Sequence, residues 1–106
     1  MLKDELNNLP VYLAELIGTF ALVFFGSVSV TVFRGAGAIA ALPIAFAHGL
    51  ALMVMVYAIG KVSGCHINPA VTLSMLALKK IAITTAILYI IFQLIGAGLA
   101  GFVHSQ

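Results

Sequence analysis

The sequence predicts an all-α membrane protein with three transmembrane helices plus one re-entrant half-helix. Three observations carry that prediction. Of 106 residues, 63% are hydrophobic and 8% charged, and the mean hydropathy of +1.22 lies far from the balance of a water-soluble domain. Three apolar stretches each reach the roughly 20 residues a helix needs to cross a bilayer. Between the second and third stands "SGCHINPAVT" (63–72), polar and rich in helix-breaking residues. The net charge is only +2 and the basic residues are scattered, so no basic patch suited to nucleic acid is present. A lone cysteine, Cys65, excludes an internal disulfide. Without clustered carboxylates a metal site also lacks ligands, and no cofactor is expected.

Taken in order, residues 1–10, "MLKDELNNLP", read as a short polar segment, and Pro10 sits where a helix can start. The first span covers about 11–33. It exceeds the roughly 7–15 apolar residues of a signal peptide, contains Glu15 and is followed by further spans, so it reads as a retained helix. Arg34 and "GAGA" (35–38) form a turn. The second span covers about 39–60, with Pro43 near its start, where a missing N–H is best tolerated, and the third about 81–103.

The segment 61–78 is different in kind. Asn68 is a strong N-cap and Pro69 fits the first helical position, so a helix begins there and runs to about Leu78. About 11 residues rise roughly 16 Å, half of a hydrocarbon core of about 30 Å. Its sequence is apolar around most of the circumference, unlike a helix lying on a membrane surface. Irregular backbone at this depth survives only when buried in protein or bordering water, because unpaired N–H and C=O groups cost several kcal/mol in lipid. The carbonyls of "SGCHI" are therefore expected to face water, with the positive end of the half-helix dipole aimed at the same place. Lys3, Lys61, Lys79 and Lys80 fall on one side and Arg34 alone on the other, which puts the N-terminus in the cytoplasm.

Glu15 is the only carboxylate inside a span, so it needs a partner in the protein interior. Bracing a loop is preferred to proton or ion relay, since a relay would need more ionisable groups along a path. Thr19, Gly26 and Ser29 continue the same helical stripe. His48 reads either as a helix-packing residue or as a pore-lining one, His104 as interfacial, and Cys65 as pore-facing or as an inert buried thiol. Small pairs four apart, Ala14/Gly18, Ala45/Gly49, Gly96/Ala100 and Ala97/Gly101, permit close helix crossings.

With these residues in view, "SGCHINPAVT" closely resembles the first Asn-Pro-Ala loop of the major intrinsic protein family, the aquaporins and aquaglyceroporins. "AELIGTFALVFFG" (14–26) resembles the family's first helix, "AHGLALMVMVYAIGKVSGCHINPAVTL" (47–73) its second helix plus loop, and "YIIFQLIGAGLAG" (89–101) its third helix. The resemblance implies that residues 11–106 form one of two inverted repeats, half of an aquaporin-like right-handed helical bundle. It implies Asn68 as the amide offered to a pore solute, carbonyls of Gly64, Cys65 and His66 as an acceptor ladder, Pro69 and Ala70 as packing against the second repeat, Glu15 as the loop brace, and His48 as one wall of the constriction. The implied function is a passive channel for water, with ammonia or glycerol as further candidate solutes, rather than an enzyme. The implied partners are the lipid bilayer, a C-terminal repeat or an inverted second copy, and a homotetramer of complete pores. Two alternatives are a non-conducting assembly module and a fragment of an ion-coupled carrier.

Overall fold

The computed structural model describes residues 7–106, and among them there is no β-strand. Helix α1 is Leu9–Val32. A 3-10 turn, Gly37–Ala40, leads into α2, Ala41–Ser63. The half-helix α3 is Pro69–Ala77 and α4 is Ile83–Ser105. The helices α1, α4 and the run Gly37–Ser63 are each long and apolar enough to cross a membrane. Lys3 and most of the expected N-terminal segment 1–10 lie outside the described residues.

The ends of these helices follow from local chemistry. α1 starts at Leu9 because the Asn8 carbonyl accepts the amides of Val11 and Tyr12 at 2.9 and 3.3 Å, leaving Pro10 in the first turn, where its missing N–H costs nothing. α2 does not stop at Gly60, as the sequence reading has it, but continues to Ser63. The residue that ends it is Gly64, whose φ of +82° is cheap only for glycine. Its N–H closes the last turn on the Gly60 carbonyl at 2.9 Å, a left-handed cap. α3 starts after Asn68, which is extended and accepts the Ala70 amide on its side chain at 2.8 Å. Its nine residues rise about 13 Å.

α1 is the hub. It packs along α4 on one side and against α2 on the other, while α3 leans on α4. The buried residues of α4, Ala86, Tyr89, Gln93, Gly96 and Ala100, recur every three or four positions and so form one stripe. Against it α1 presents Tyr12, Glu15 and Thr19, also buried. Tyr12 packs edge-on to Tyr89 and stacked on Phe92, with ring centroids 5.9 and 5.5 Å apart. The largest fully buried side chains are Gln93, Glu15 and Thr72, whereas most leucines, isoleucines and valines point outward. This polar-inside arrangement suits a solvent of lipid tails, in which close packing and internal hydrogen bonds, rather than apolar burial, associate helices.

Of the four small-residue pairs, Ala14/Gly18 and Gly96/Ala100 are buried, and a Cβ on Gly96 would run into the Leu16 carbonyl, with Leu16 C and Cα at 3.1 and 3.2 Å. The other two pairs make no such crossing here: Gly49 and Gly101 have nothing within 4 Å of where a Cβ would be. Gly96→Ala must therefore push α4 off the α1 backbone. It is expected to lower stability by about 1–3 kcal/mol, read as a fall in Tm in detergent. Gly98→Ala, with nothing within 4 Å, should leave Tm unchanged or slightly raised.

Candidate functional site

The irregular segment 64–68 joins α2 to α3 and contains three left-handed residues, Gly64, Cys65 and Ile67, with φ of +82°, +51° and +41°. For a β-branched residue such as Ile67 this conformation is strained, by about 1–3 kcal/mol. Two features hold it. The Ile67 side chain is 2% exposed and fits against Gly18, where any Cβ would collide with it. The second is the Glu15 carboxylate.

Glu15, 0% exposed, accepts four hydrogen bonds. Its Oε1 takes the Ile67 amide and Gln93 Nε2, both at 2.8 Å. Its Oε2 takes the Ser63 hydroxyl at 2.6 Å and the His66 amide at 3.1 Å. All of its acceptor directions toward α2, the loop and α4 are thus used, which is what a buried carboxylate requires. The polarity then propagates. Because a carboxylate only accepts, Gln93 must turn its Nε2 toward it; the second N–H of that amide reaches Thr72 Oγ1 at 2.9 Å. Thr72 Oγ1 in turn lies 3.0 Å from His66 Nδ1, a hydrogen bond that links the half-helix to the loop. Tyr89 closes the cluster, donating to the Ser63 carbonyl at 2.8 Å with its ring 4.8 Å from that of His66. Gln93 Oε1 and Thr19 Oγ1 are buried without a partner among the described residues.

A census of the loop backbone shows a one-sided arrangement. The amides of His66 and Ile67 turn inward to Glu15, and that of Cys65 to Ser63 Oγ at 3.1 Å. The carbonyls of Gly64, Cys65, His66 and Ile67 accept no bond from the described residues, while that of Asn68 already takes the Val71 and Thr72 amides. Gly64 and Asn68 are exposed. Cys65 and His66 are buried, at 8% and 9% exposure, so neither side chain projects far from the protein. Pro69 is half-buried and Ala70 exposed.

His48 belongs to a different level. It lies fifteen residues before Ser63 along α2, about 22 Å along the helix axis, and is exposed, with Nδ1 2.8 Å from the Ile44 carbonyl. It borders a cleft of about 290 Å³ with Leu22, Val23, Gly26, Ser27 and Val30. Glu15, His66 and the loop are brought together; His48 is not among them. His104 bonds Thr31 Oγ1 at 3.0 Å, joining the far ends of α4 and α1. The residues that sequence reasoning missed are Ser63, Thr72, Tyr89 and Gln93. Only Gln93, a lone amide within an apolar span, carried a signal of its own.

Among the described residues no group of three or more His, Cys, Asp or Glu side chains is placed to hold a metal ion.

A family model described as "Major intrinsic protein" matches residues 3–105. "Glycerol uptake facilitator protein-like 6" of Lactiplantibacillus plantarum is 50% identical over 86 residues, covering 81% of this chain and 38% of that protein. "Aquaporin AqpM" of Methanothermobacter thermautotrophicus is 39% identical over 112 aligned positions, covering 89% of this chain and 46% of that one. "Aquaporin Z" of Rhodopseudomonas palustris is 44% identical over 92 residues, with 85% and 38% covered. The chain spans less than half the length of these relatives.

Glu15→Gln keeps the shape of the brace but turns an N–H₂ group toward two of the four donors. It is expected to cost about 3 kcal/mol and to speed hydrogen exchange at the His66 and Ile67 amides, measured by thermal unfolding and by exchange mass spectrometry in detergent. Exchange at those amides equal to that of the unsubstituted protein would contradict the brace.

Proposed function

This chain belongs to the major intrinsic protein family and is an integral, multi-pass membrane protein; from that premise we propose that it is one repeat of a passive channel for water. The observation that carries the proposal is the loop 64–68, whose amides at 65–67 are drawn inward by Ser63 and Glu15 while the carbonyls of Gly64, Cys65, His66 and Ile67 accept no bond from the described residues. In hydrocarbon such carbonyls are costly; beside a file of water they are a row of acceptors. Asn68 Oδ1 is occupied by the Ala70 amide, so the end left for a passing solute is its Nδ2, a donor set beside the acceptors.

Permeation needs no covalent step. Each water exchanges one hydrogen bond for the next along the carbonyls of Gly64, Cys65 and His66, then meets the Asn68 amide at the N-terminus of α3. The positive end of that half-helix, worth about half a charge, opposes cations arriving at the same point. His48 forms part of a narrower constriction at the other level. Its polar ring admits small uncharged solutes with N–H or O–H groups, so ammonia and glycerol are the further candidates.

The pore is complete when a second, inverted repeat faces this one. Only 6% of the best window of the Gly37–Ser63 span is buried, which agrees with a helix awaiting a neighbour. Pro69 and Ala70 then pack against their counterparts, and complete pores assemble as a homotetramer. Lys61, Lys79 and Lys80 against Arg34 set the loop entry and the N-terminus on the cytoplasmic side.

Stopped-flow shrinkage of vesicles carrying the assembled pore is expected to exceed that of empty liposomes severalfold, and Asn68→Ala, which removes both the cap and the amide, to abolish most of the difference. Water flux equal to that of empty liposomes would overturn the channel reading in favour of a non-conducting module. Solute uptake that depended on a sodium or proton gradient would favour a carrier.

A further inference from the structure

His48 is held at both ends of its ring. At one end the Ile44 carbonyl, which can only accept, lies 2.8 Å from Nδ1, so Nδ1 carries the proton and Nε2 is the bare nitrogen of the neutral ring. At the other end the ring edge rests on Gly26 of α1. A Cβ built there would collide with Nε2 and lie 2.8 and 2.9 Å from Cδ2 and Cε1, separations that real Cβ contacts do not show.

A methyl group at position 26 cannot coexist with the ring where it stands. Within α1 the Ser29 hydroxyl donates to the Gly26 carbonyl at 2.7 Å. The Nδ1 end of the ring is tied to its own helix. The three nearest atoms that a Cβ would meet all belong to the imidazole and none is backbone, so the ring is what must move, at the edge of the cleft it shares with Leu22 and Val30. The contact is particular to this glycine: Gly49, which follows His48 on α2, has nothing within 4 Å of its Cβ position.

We infer that Gly26 is a positioning residue that sets how far the His48 imidazole projects, and through it the aperture that discriminates between water and larger uncharged solutes. The inference rests on the channel reading for its functional consequence, but its geometric part stands on the ring contacts alone.

The test has two arms. In the first, the chain is labelled with 15N-histidine in lipid nanodiscs. His48 should show a protonated Nδ1 and a bare Nε2, and Gly26→Ala should shift the His48 resonances while leaving those of His66 and His104 in place. In the second, water and glycerol permeabilities of vesicles carrying the assembled pore are compared for Gly26→Ala with and without His48→Ala. The ratio of the two permeabilities should change about threefold or more with the imidazole present and stay constant without it, the non-additivity expected of contacting residues.

Unmoved His48 resonances, or an equal change in the ratio in both backgrounds, would overturn the inference. Should Gly26→Ala alone fail to fold, recovery of folding in the Gly26→Ala/His48→Ala double variant supports it and failure of both rejects it. Wild-type vesicles that conduct nothing would sink the channel reading, and the His48 resonances would then decide the placement of the ring by themselves.

Discussion

Everything at the centre of this molecule depends on one buried carboxylate being fully hydrogen-bonded. An ionised acid taken out of water without partners is prohibitively costly, and Glu15 has no cation beside it among the described residues. Its charge is instead shared among four donors, two from backbone amides of the loop, one from the end of α2 and one from α4. Hydrogen bonds to a charged group are roughly twice as strong as neutral ones, so together they outweigh the strain of holding Cys65 and Ile67 in the left-handed region. The loop conformation is thus a consequence of satisfying Glu15, and not an intrinsic preference of its sequence.

The same constraint explains why the interior is polar. Helices in lipid gain little by burying leucine against leucine, since the tails outside are equally apolar. What distinguishes the associated state is close approach, of backbone to backbone at Gly96 and of the Ile67 and Ile59 side chains to Gly18, and a hydrogen-bond network closed to lipid. Glu15, Gln93, Thr72 and His66 form such a network, its polarity set from the Glu15 end, where a carboxylate can only accept. The tyrosines extend it: Tyr89 ties the Ser63 carbonyl to α4, so the last turn of α2 is anchored on the same helix that anchors Glu15.

How much of this is legible in the sequence differs by element. The helices are visible because crossing a bilayer demands length and apolarity, both readable residue by residue. The half-helix is visible because Asn68 and Pro69 are a local start signal. The end of α2 is less so: Gly60 and Gly64 are both admissible stops, and only the conformation chooses the one at positive φ. That Glu15 needs partners follows from its chemistry, but which partners it has does not, because they lie 48 to 78 residues away along the chain. The small-residue pairs make the same point, since identical spacing at Gly96/Ala100 and Ala45/Gly49 leads to one tight crossing and one open face. Whether a small residue meets a neighbour is settled by helix rotation, which spacing alone does not encode.

The electrostatic balance of the loop follows from where its dipoles point. Turning the amides of residues 65–67 toward Ser63 and Glu15 places the positive ends of those peptide groups inside the protein, and their negative ends on the opposite side. A row of carbonyls alone would favour cations. One thing works against that at this site: the N-terminus of α3 begins directly after Asn68 with its positive end toward the loop. On the channel reading, the helix break therefore supplies acceptors for water and a barrier to cations from the same short segment. A continuous helix of the same composition would offer neither, because its carbonyls would be spent on its own amides.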